Sequence, residues 1–358
     1  MAEIAPRLVR VLVVDDSALM RRLLSDVLNS SGRIEVVGVA RDGREAVAQT
    51  AKLRPDVVTL DVAMPDVSGL DALPAILAVH ESPVVMVSAL TQEGADVTLK
   101  ALELGAVDFH PKPASGQLAD MRAEGERLVA KILDAAQGRV MRPRRATSAA
   151  PPASSRGLAV PPGGAAGCVA IGISTGGPQA LAAVLPLIRP PTPPIVIVQH
   201  MPAQFTGVFA KRLDRSSALD VKEAADGDLV EPNRVLIAPG GRHLTVVGRA
   251  GNVRAAISSP DDPPVSGHRP SVDVLFRSVA RAFGPAAVGV VMTGMGRDGV
   301  NGCGAILEAG GVTLGQDEAT SVVYGMNKAA FLAGAVQLQF ALDDLPELIQ
   351  ALSAPRRG

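Results

Sequence analysis

The chain has 358 residues, enough for about two domains that each bury a core. Lys plus Arg is 35 and Asp plus Glu is 36, for a formal charge of −1, and aromatics are only 2% with no Trp, so a general nucleic-acid binder and a base-stacking platform are both excluded. Two cysteines make no disulfide framework, no apolar run approaches the roughly 18 residues that span a bilayer, and MAEIAPRLVRVLVVDD does not read as a signal peptide; a cytoplasmic protein without membrane insertion is expected.

In chain order, residues 10–113 alternate short β-branched runs with helical patterns. Strands are expected at residues 11–14, 34–40, 57–60, 84–87 and 106–109. Residues 17–28 and 43–53 carry apolar side chains at spacings of three and four, and 122–136 completes the set with a last helix. The alternation predicts a five-stranded parallel, doubly wound α/β sheet over residues 8–134. Residues 137–166 hold five Pro, five Arg and no acid, which predicts a flexible Pro/Arg/Ala-rich linker over 135–166. Its arginines suit contact with an acidic partner, but read first as solubilising charge on a tether. The alternation resumes over 167–358, with strands expected at 168–173, 195–198, 235–238, 288–292 and 312–314. Residues 244–247 and 252–257 suit a hairpin. Helices are expected at 179–188, 272–282, 302–308 and 327–333, giving a second α/β domain.

In an open parallel sheet, ligands sit at the carboxyl ends of the strands. The first strand ends in Asp15-Asp16, the third in Asp61, the fourth in Ser88, and Lys112 follows the fifth. One Asp alone would read as a helix cap. Three carboxylates, a hydroxyl and an ammonium on one edge read as a site. The carboxylates repel unless a cation neutralises them, and an oxygen-only donor set suits Mg²⁺. A metal, a lysine and a hydroxyl around a carboxylate are what phosphoryl transfer to that carboxylate needs, with Asp61 as acceptor.

VLVVDDS, TLDVAMP, VVMVSAL and DFHPKP resemble a response-regulator receiver domain over residues 8 to 134. The resemblance implies a flavodoxin-like strand order and phosphorylation of Asp61 by a histidine kinase. It implies that Asp15, Asp16, Asp61 and the Ala63 main-chain carbonyl hold Mg²⁺, and that Ser88 and Lys112 read the phosphoryl group. Relatives often carry an acid or amide where Ala63 stands and Asp where Ser68 stands. The first departure bears on the lifetime of the phosphoryl group.

In the second domain, strand 168–173 runs into a G-x-S-x-G turn, Gly172 to Gly176, which would lift Ser174 onto a sharp strand-to-helix bend. The spacing is neither G-x-G-x-x-G nor a P-loop. His200 directly follows the strand IVIVQ and is the first choice of base; His243 is the second, and His268 lies in a Pro-rich loop. Asp298, in TGMGRDG after strand 288–292, is the expected orienting acid, with Asp317 as the alternative. Read structurally, Asp298 would instead cap the helix near Gly302. The order Ser, His, Asp differs from the Ser, acid, His of α/β-hydrolases.

GISTGGP, VIVQHMP, RPSVDVLF, MTGMGRDG and QDEATSVVYGMNKAA resemble the catalytic domain of the CheB family, the chemotaxis protein-glutamate methylesterases. The resemblance spans residues 167 to 345. It implies a Rossmann-like sheet with a Ser174–His200–Asp298 triad and an oxyanion hole from the N–H groups of Thr175 and Met295. The implied reaction removes methyl esters from glutamates of methyl-accepting chemoreceptors, with glutamine deamidation as a second activity, and no metal acts in this domain. The family further implies that the unphosphorylated receiver inhibits the esterase. Ser271 reads as an N-cap, and Arg269 as either structural or a contact for a substrate carboxylate. A phosphorylation-controlled, non-catalytic receptor adaptor is the alternative function.

Overall fold

A computed structural model describes residues 7–88, 92–112, 118–138, 166–249 and 251–353. The chain divides into two compact units, residues 1–144 and 145–358. Most of the expected linker, 139–165, lies outside the described residues.

In the first unit, β1 (Val9–Val14), α1 (Ala18–Ser30), β2 (Ile34–Ala40), α2 (Gly43–Leu53), β3 (Val57–Asp61), α3 (Gly69–Val79), β4 (Val84–Ser88), α4 (Gln92–Glu103), β5 (Asp108–Pro111) and α5 (Leu118–Gln137) alternate strictly. The strands pair in parallel in the order β2-β1-β3-β4-β5. Every residue of β3 and β4 is buried, as expected of strands covered by helices on both faces. The doubly wound reading holds, with local differences. Ser17, rather than either neighbouring Asp, caps α1. β5 begins two residues later than expected because the Ala106 N–H still closes the preceding helix on the Ala101 carbonyl. α5 runs to Gln137, three residues into the expected linker.

The second unit contains β6 (Cys168–Ile173), α6 (Gly177–Val184), β7 (Ile195–Gln199), α7 (Ala203–Ser216), β8 (Asp220–Glu223), β9 (Arg234–Ile237), β10 (Leu244–Arg249) and β11 (Asn252–Ile257). It continues with α8 (Val272–Phe283), β12 (Ala287–Val291), α9 (Val300–Glu308), β13 (Val312–Gln316), α10 (Met326–Leu332), β14 (Leu338–Phe340) and α11 (Leu345–Ser353). Seven parallel strands form one sheet in the order β14-β13-β12-β6-β7-β9-β8. From β6 the chain builds one half of the sheet through β7; from β12 it builds the other. The strand order therefore reverses between β6 and β12, and the crevice at their carboxyl ends is where such sheets take ligands.

β10 and β11 pair antiparallel as the expected hairpin. Leu244 and Val246 of β10 and Val253 and Ala255 of β11 join Leu275, Phe276 and Val279 of α8 in the core. The Val246 N–H donates to Ser278 of α8 at 3.0 Å. This packing fixes α8, and α8 in turn fixes the site.

One buried acid of the first unit lies away from the strand ends. Asp134 on α5 is 7% exposed. Burial, then the Asp108 charge, pushes its carboxyl up to about 7. The folded chain keeps that proton until pH about 7, whereas an unfolded chain releases it near pH 4. Between those values the native state binds more protons, so this group makes the unit less stable as pH rises. Asp134→Asn removes the effect. Amide exchange in β3 should show the variant gaining protection over the parent between pH about 4 and about 7.5. A difference constant across that range contradicts this account.

Candidate functional site

The carboxyl edge of the first sheet gathers the residues expected there. Val14 pairs with Leu60, so Asp15 and Asp61 leave adjacent strands side by side. Both are buried, and Asp16 is exposed. Lys112 Nζ lies 2.7 Å from Asp15 Oδ2 and 2.8 Å from Asp61 Oδ2. Burial favours the neutral form of Lys112, but its bonds to both carboxylates outweigh that and raise its pKa, so it stays an ammonium. Burial raises the Asp61 carboxyl; Lys112 opposes this, and the Asp15 charge adds to it. Arg21 Nη1 donates to the carbonyls of Asp15 and Asp16 at 2.7 and 3.0 Å and holds their backbone in place.

Asp15, Asp16 and Asp61 each present an oxygen within 4.8 Å of the others. Three carboxylates against one ammonium leave a negative pocket of hard oxygen donors, which fits a divalent cation such as Mg²⁺. The Ala63 N–H donates to Asp61 Oδ1 at 3.4 Å. Ser88 is buried at the end of β4, where its carbonyl accepts the Lys112 N–H at 2.7 Å. A Cβ on Gly69 would lie 1.9 Å from the Asp61 carbonyl oxygen, so only glycine lets α3 start this close to the site.

In the second unit, Ile173 pairs with Gln199, and the His200 N–H donates to the Ile173 carbonyl at 3.1 Å. Ser174 and His200 therefore leave adjacent strand ends together. The Gln199 side-chain amide ties them further, donating to the carbonyls of Ser174 at 3.0 Å and His200 at 3.2 Å. From the other side of the crevice, the Thr293 carbonyl accepts the Ser174 N–H at 3.0 Å. A Cβ on Gly294 would come within 2.6 Å of the Ser174 Cβ, so the loop after β12 lies directly against the serine.

His200 Nε2 lies 2.9 Å from Asp298 Oδ2. An ionised Asp298 can only accept, so Nε2 carries a hydrogen, and in the neutral ring the lone pair lies on Nδ1. Nδ1 is buried and makes no hydrogen bond among the described residues. Asp298 also accepts from the Ser271 hydroxyl at 2.8 Å and from the N–H groups of Val272 and Asp273 at 2.7 and 3.0 Å. Burial alone would raise the Asp298 carboxyl. The bond to His200, the His200 charge and the two N–H groups overcome this and hold it below the usual carboxylate range.

Several expectations require correction. Asp298 caps α8 rather than the helix near Gly302; Asp273 fills that second place, accepting the N–H groups of Gly299 at 3.0 Å and Gly302 at 2.7 Å. Ser271 stands at the N-cap of α8, but its side chain makes no capping bond and instead donates to Asp298. His243 is not a free base, since its Nδ1 accepts the Ser271 N–H and its Nε2 meets the Pro263 carbonyl. Asp317 is committed to Thr320, 2.9 Å from its N–H and 2.6 Å from its hydroxyl. Arg269 Nη1 donates to the Asp262 carbonyl. The Met295 side chain is 41% exposed, while Thr175 is buried and its carbonyl accepts the Thr293 hydroxyl. His268, set aside in the sequence, stacks on His200 with ring centroids 3.8 Å apart and planes 3° from parallel. Its only signal was its place beside the RPSVDVLF stretch.

Comparison with known proteins identifies the family of each unit. The family model for CheB methylesterase matches residues 169–349, and that for the response regulator receiver domain matches residues 11–122. The protein-glutamate methylesterase/protein-glutamine glutaminase 1 of Caulobacter vibrioides is 53% identical over 351 residues, covering 98% of this chain and 99% of its own. The relative of the same activity name from Pyrococcus horikoshii is 46% identical, covering 98% and 96%. The crystal structure of the Thermotoga maritima CheB methylesterase catalytic domain is 37% identical with a TM-score of 0.50, covering 52% of this chain and 98% of that one.

The double use of Asp298 predicts a stability effect separate from chemistry. Asp298→Ala leaves the Ser271 hydroxyl and two buried N–H groups without an acceptor and should cost about 2 kcal/mol or more. Ser174→Ala should stay within about 0.5 kcal/mol of the parent. Tyr324, the only tyrosine, reports unfolding of this unit by fluorescence. Equal stability of the two variants contradicts the capping role.

Proposed function

The chain belongs to the CheB methylesterase family, and on that premise we propose that it hydrolyses γ-methyl esters of glutamate side chains in methyl-accepting chemoreceptors. Methanol is the product, and glutamine side chains are deamidated by the same groups. In this reading residues 8–134 are the phosphoryl-accepting domain, 135–166 the tether and 167–358 the catalytic domain. The observation that carries the reading is the His200 Nε2–Asp298 Oδ2 contact of 2.9 Å, which leaves Nδ1 as a lone-pair base beside the serine turn.

In this reading the Ser174 hydroxyl meets Nδ1 when substrate is bound. Nδ1 takes the hydroxyl proton as Ser174 Oγ bonds to the ester carbonyl carbon, and Asp298 stabilises the resulting imidazolium. The N–H groups of Thr175 and Met295 hold the oxyanion, worth roughly 3–4 kcal/mol of barrier for each such donor. Support for this placement comes from the contact of Gly294 with Ser174, which brings the next residue, Met295, to the nucleophile. The C–O bond to methoxide breaks as the imidazolium returns its proton, and methanol leaves. Water then loses a proton to Nδ1 and attacks the acyl-serine, freeing the glutamate and restoring the hydroxyl.

Asp61 accepts a phosphoryl group from a chemotaxis histidine kinase and thereby raises esterase activity. Asp15, Asp16, Asp61 and the Ala63 carbonyl would hold a Mg²⁺, which would supply positive charge for the phosphoryl oxygens. Lys112 and Ser88 meet that group once it is on Asp61. Lys112 already bridges Asp15 and Asp61, which suits it to follow the charge. We place the protein in the cytoplasm; among the described residues no helix is long and apolar enough to cross a membrane.

Methanol release from a methylated receptor cytoplasmic fragment tests the reading. Ser174→Ala should abolish it, and Asp298→Asn should lower it by on the order of 10⁴-fold by permitting the wrong tautomer. Release unchanged in Ser174→Ala, or absent from the phosphorylated wild type, sinks the esterase assignment. Asp61→Asn should keep basal release and lose stimulation by a small phosphodonor with Mg²⁺. Stimulation that survives this change places the phosphorylation site elsewhere.

A further inference from the structure

We propose that His268 is a positioning residue for the base, fixing the face of the His200 ring as Asp298 fixes its edge. The proposal rests on the esterase reading above and deepens it. The rings are parallel to within 3° at a centroid separation of 3.8 Å, which is full face-to-face contact. Asp298 pins only Nε2, and a ring held at one atom can still rock about that bond. Rocking would swing Nδ1 away from Ser174. A flat partner on one face removes that freedom. It also excludes water from that face and gives the imidazolium formed during acylation an aromatic surface to lie on.

The segment carrying His268 is built to hold such a contact. Val265 and His268 exchange N–H to carbonyl bonds of 3.1 and 3.0 Å across a two-residue turn. The turn residues, Ser266 and Gly267, have φ of 54° and 79°, the left-handed pair of a type I′ hairpin turn. The Ser266 hydroxyl donates to Asp273 Oδ2 at 2.9 Å, and the other Asp273 oxygen accepts the N–H groups of Gly299 and Gly302. The Gly241 N–H donates to the Arg269 carbonyl at 3.1 Å, which ties down the far side of the ring's backbone. Asp273 and Asp298 both meet the first turn of α8. The edge partner and the face partner of His200 are thus referenced to one helix end.

The test compares His268→Ala, His268→Leu and His268→Phe in the full chain, with kcat and KM from methanol release. A second readout is the rate at which a sulfonyl fluoride labels Ser174, which needs no receptor. His268→Ala and His268→Leu should lower kcat and labelling about 10- to 100-fold with KM within about twofold, because the base is misplaced while the substrate surface is intact. His268→Phe, which keeps a flat ring, should recover most of both. Ser266→Ala loosens the turn without touching the ring and should lower kcat less, again at constant KM; it serves as the readout if the His268 variants do not fold. Wild-type kcat in His268→Ala, a loss confined to KM, or equal losses in the Phe and Ala variants would overturn the proposal. Were the wild type to release no methanol yet label at a rate that depends on His200, the esterase reading would fail, and the labelling rates alone would decide the role of His268.

Discussion

The carboxylate of Asp298 is the joint on which the second unit's candidate site is built. It takes four donors: the Ser271 hydroxyl, the N–H groups of Val272 and Asp273, and His200 Nε2. A buried carboxylate with fewer partners would rise in pKa and lose its charge. Here the positive end of α8 and the imidazole keep it ionised. The same bonds that stabilise the charge set its position, since a carboxylate held by one helix start cannot follow a drifting imidazole. Val272 adds a steric reference: a Cβ on Gly172 would lie 2.2 Å from one of its methyl groups, so α8 packs onto β6 where no other residue fits.

The first unit uses charge in the opposite sense. Two buried carboxylates share one ammonium there, and burial leaves Asp61 above its ordinary pKa. The pocket is under-neutralised by design of its residues, with Asp16 adding a third negative group. Such a site gains more from a divalent cation than a neutralised one would. Asp298 is organised to remain as it is, with every strong partner already in place. Asp61 shares its one strong partner with Asp15 and is left incompletely neutralised.

Legibility in the sequence followed the kind of constraint at work. Parallel strands buried on both faces need unbroken β-branched runs, so β1, β3, β4, β6, β7 and β12 were readable, and the residues after them gave Asp15, Asp61, Ser88, Ser174, His200 and Asp298. Edge strands are half exposed and leave a weaker mark. β8 buries only Val221 fully, β14 has three residues, and both escaped the sequence reading. α7 escaped as well, although Phe205, Phe209 and Leu213 have helical spacing. The stack of His268 on His200 and the donation of Ser271 to Asp298 were not legible at all. Both depend on a turn and a helix start that approach the sheet edge from distant parts of the chain, and no periodicity encodes where a loop lands.

The chain order Ser, His, Asp has a geometric consequence in the choice of ring nitrogen. Ser174 and His200 follow paired residues on neighbouring strands, and parallel neighbours lie only about 4.8 Å apart. In the proposed triad, a base that close acts through the ring nitrogen nearest its own backbone, which is Nδ1. Asp298 follows β12, two strands from β7 across β6, and arrives with the start of α8. It meets the outer nitrogen, Nε2. Exchanging the two nitrogens would point the lone pair at a carboxylate and the N–H at a hydroxyl that must lose its own proton, which is unproductive at both ends. Sheet order therefore selects the tautomer, and Asp298, being unable to donate, enforces it. A ring whose function depends on which edge faces which partner tolerates little rotation, and that requirement gives the parallel contact with His268 its value.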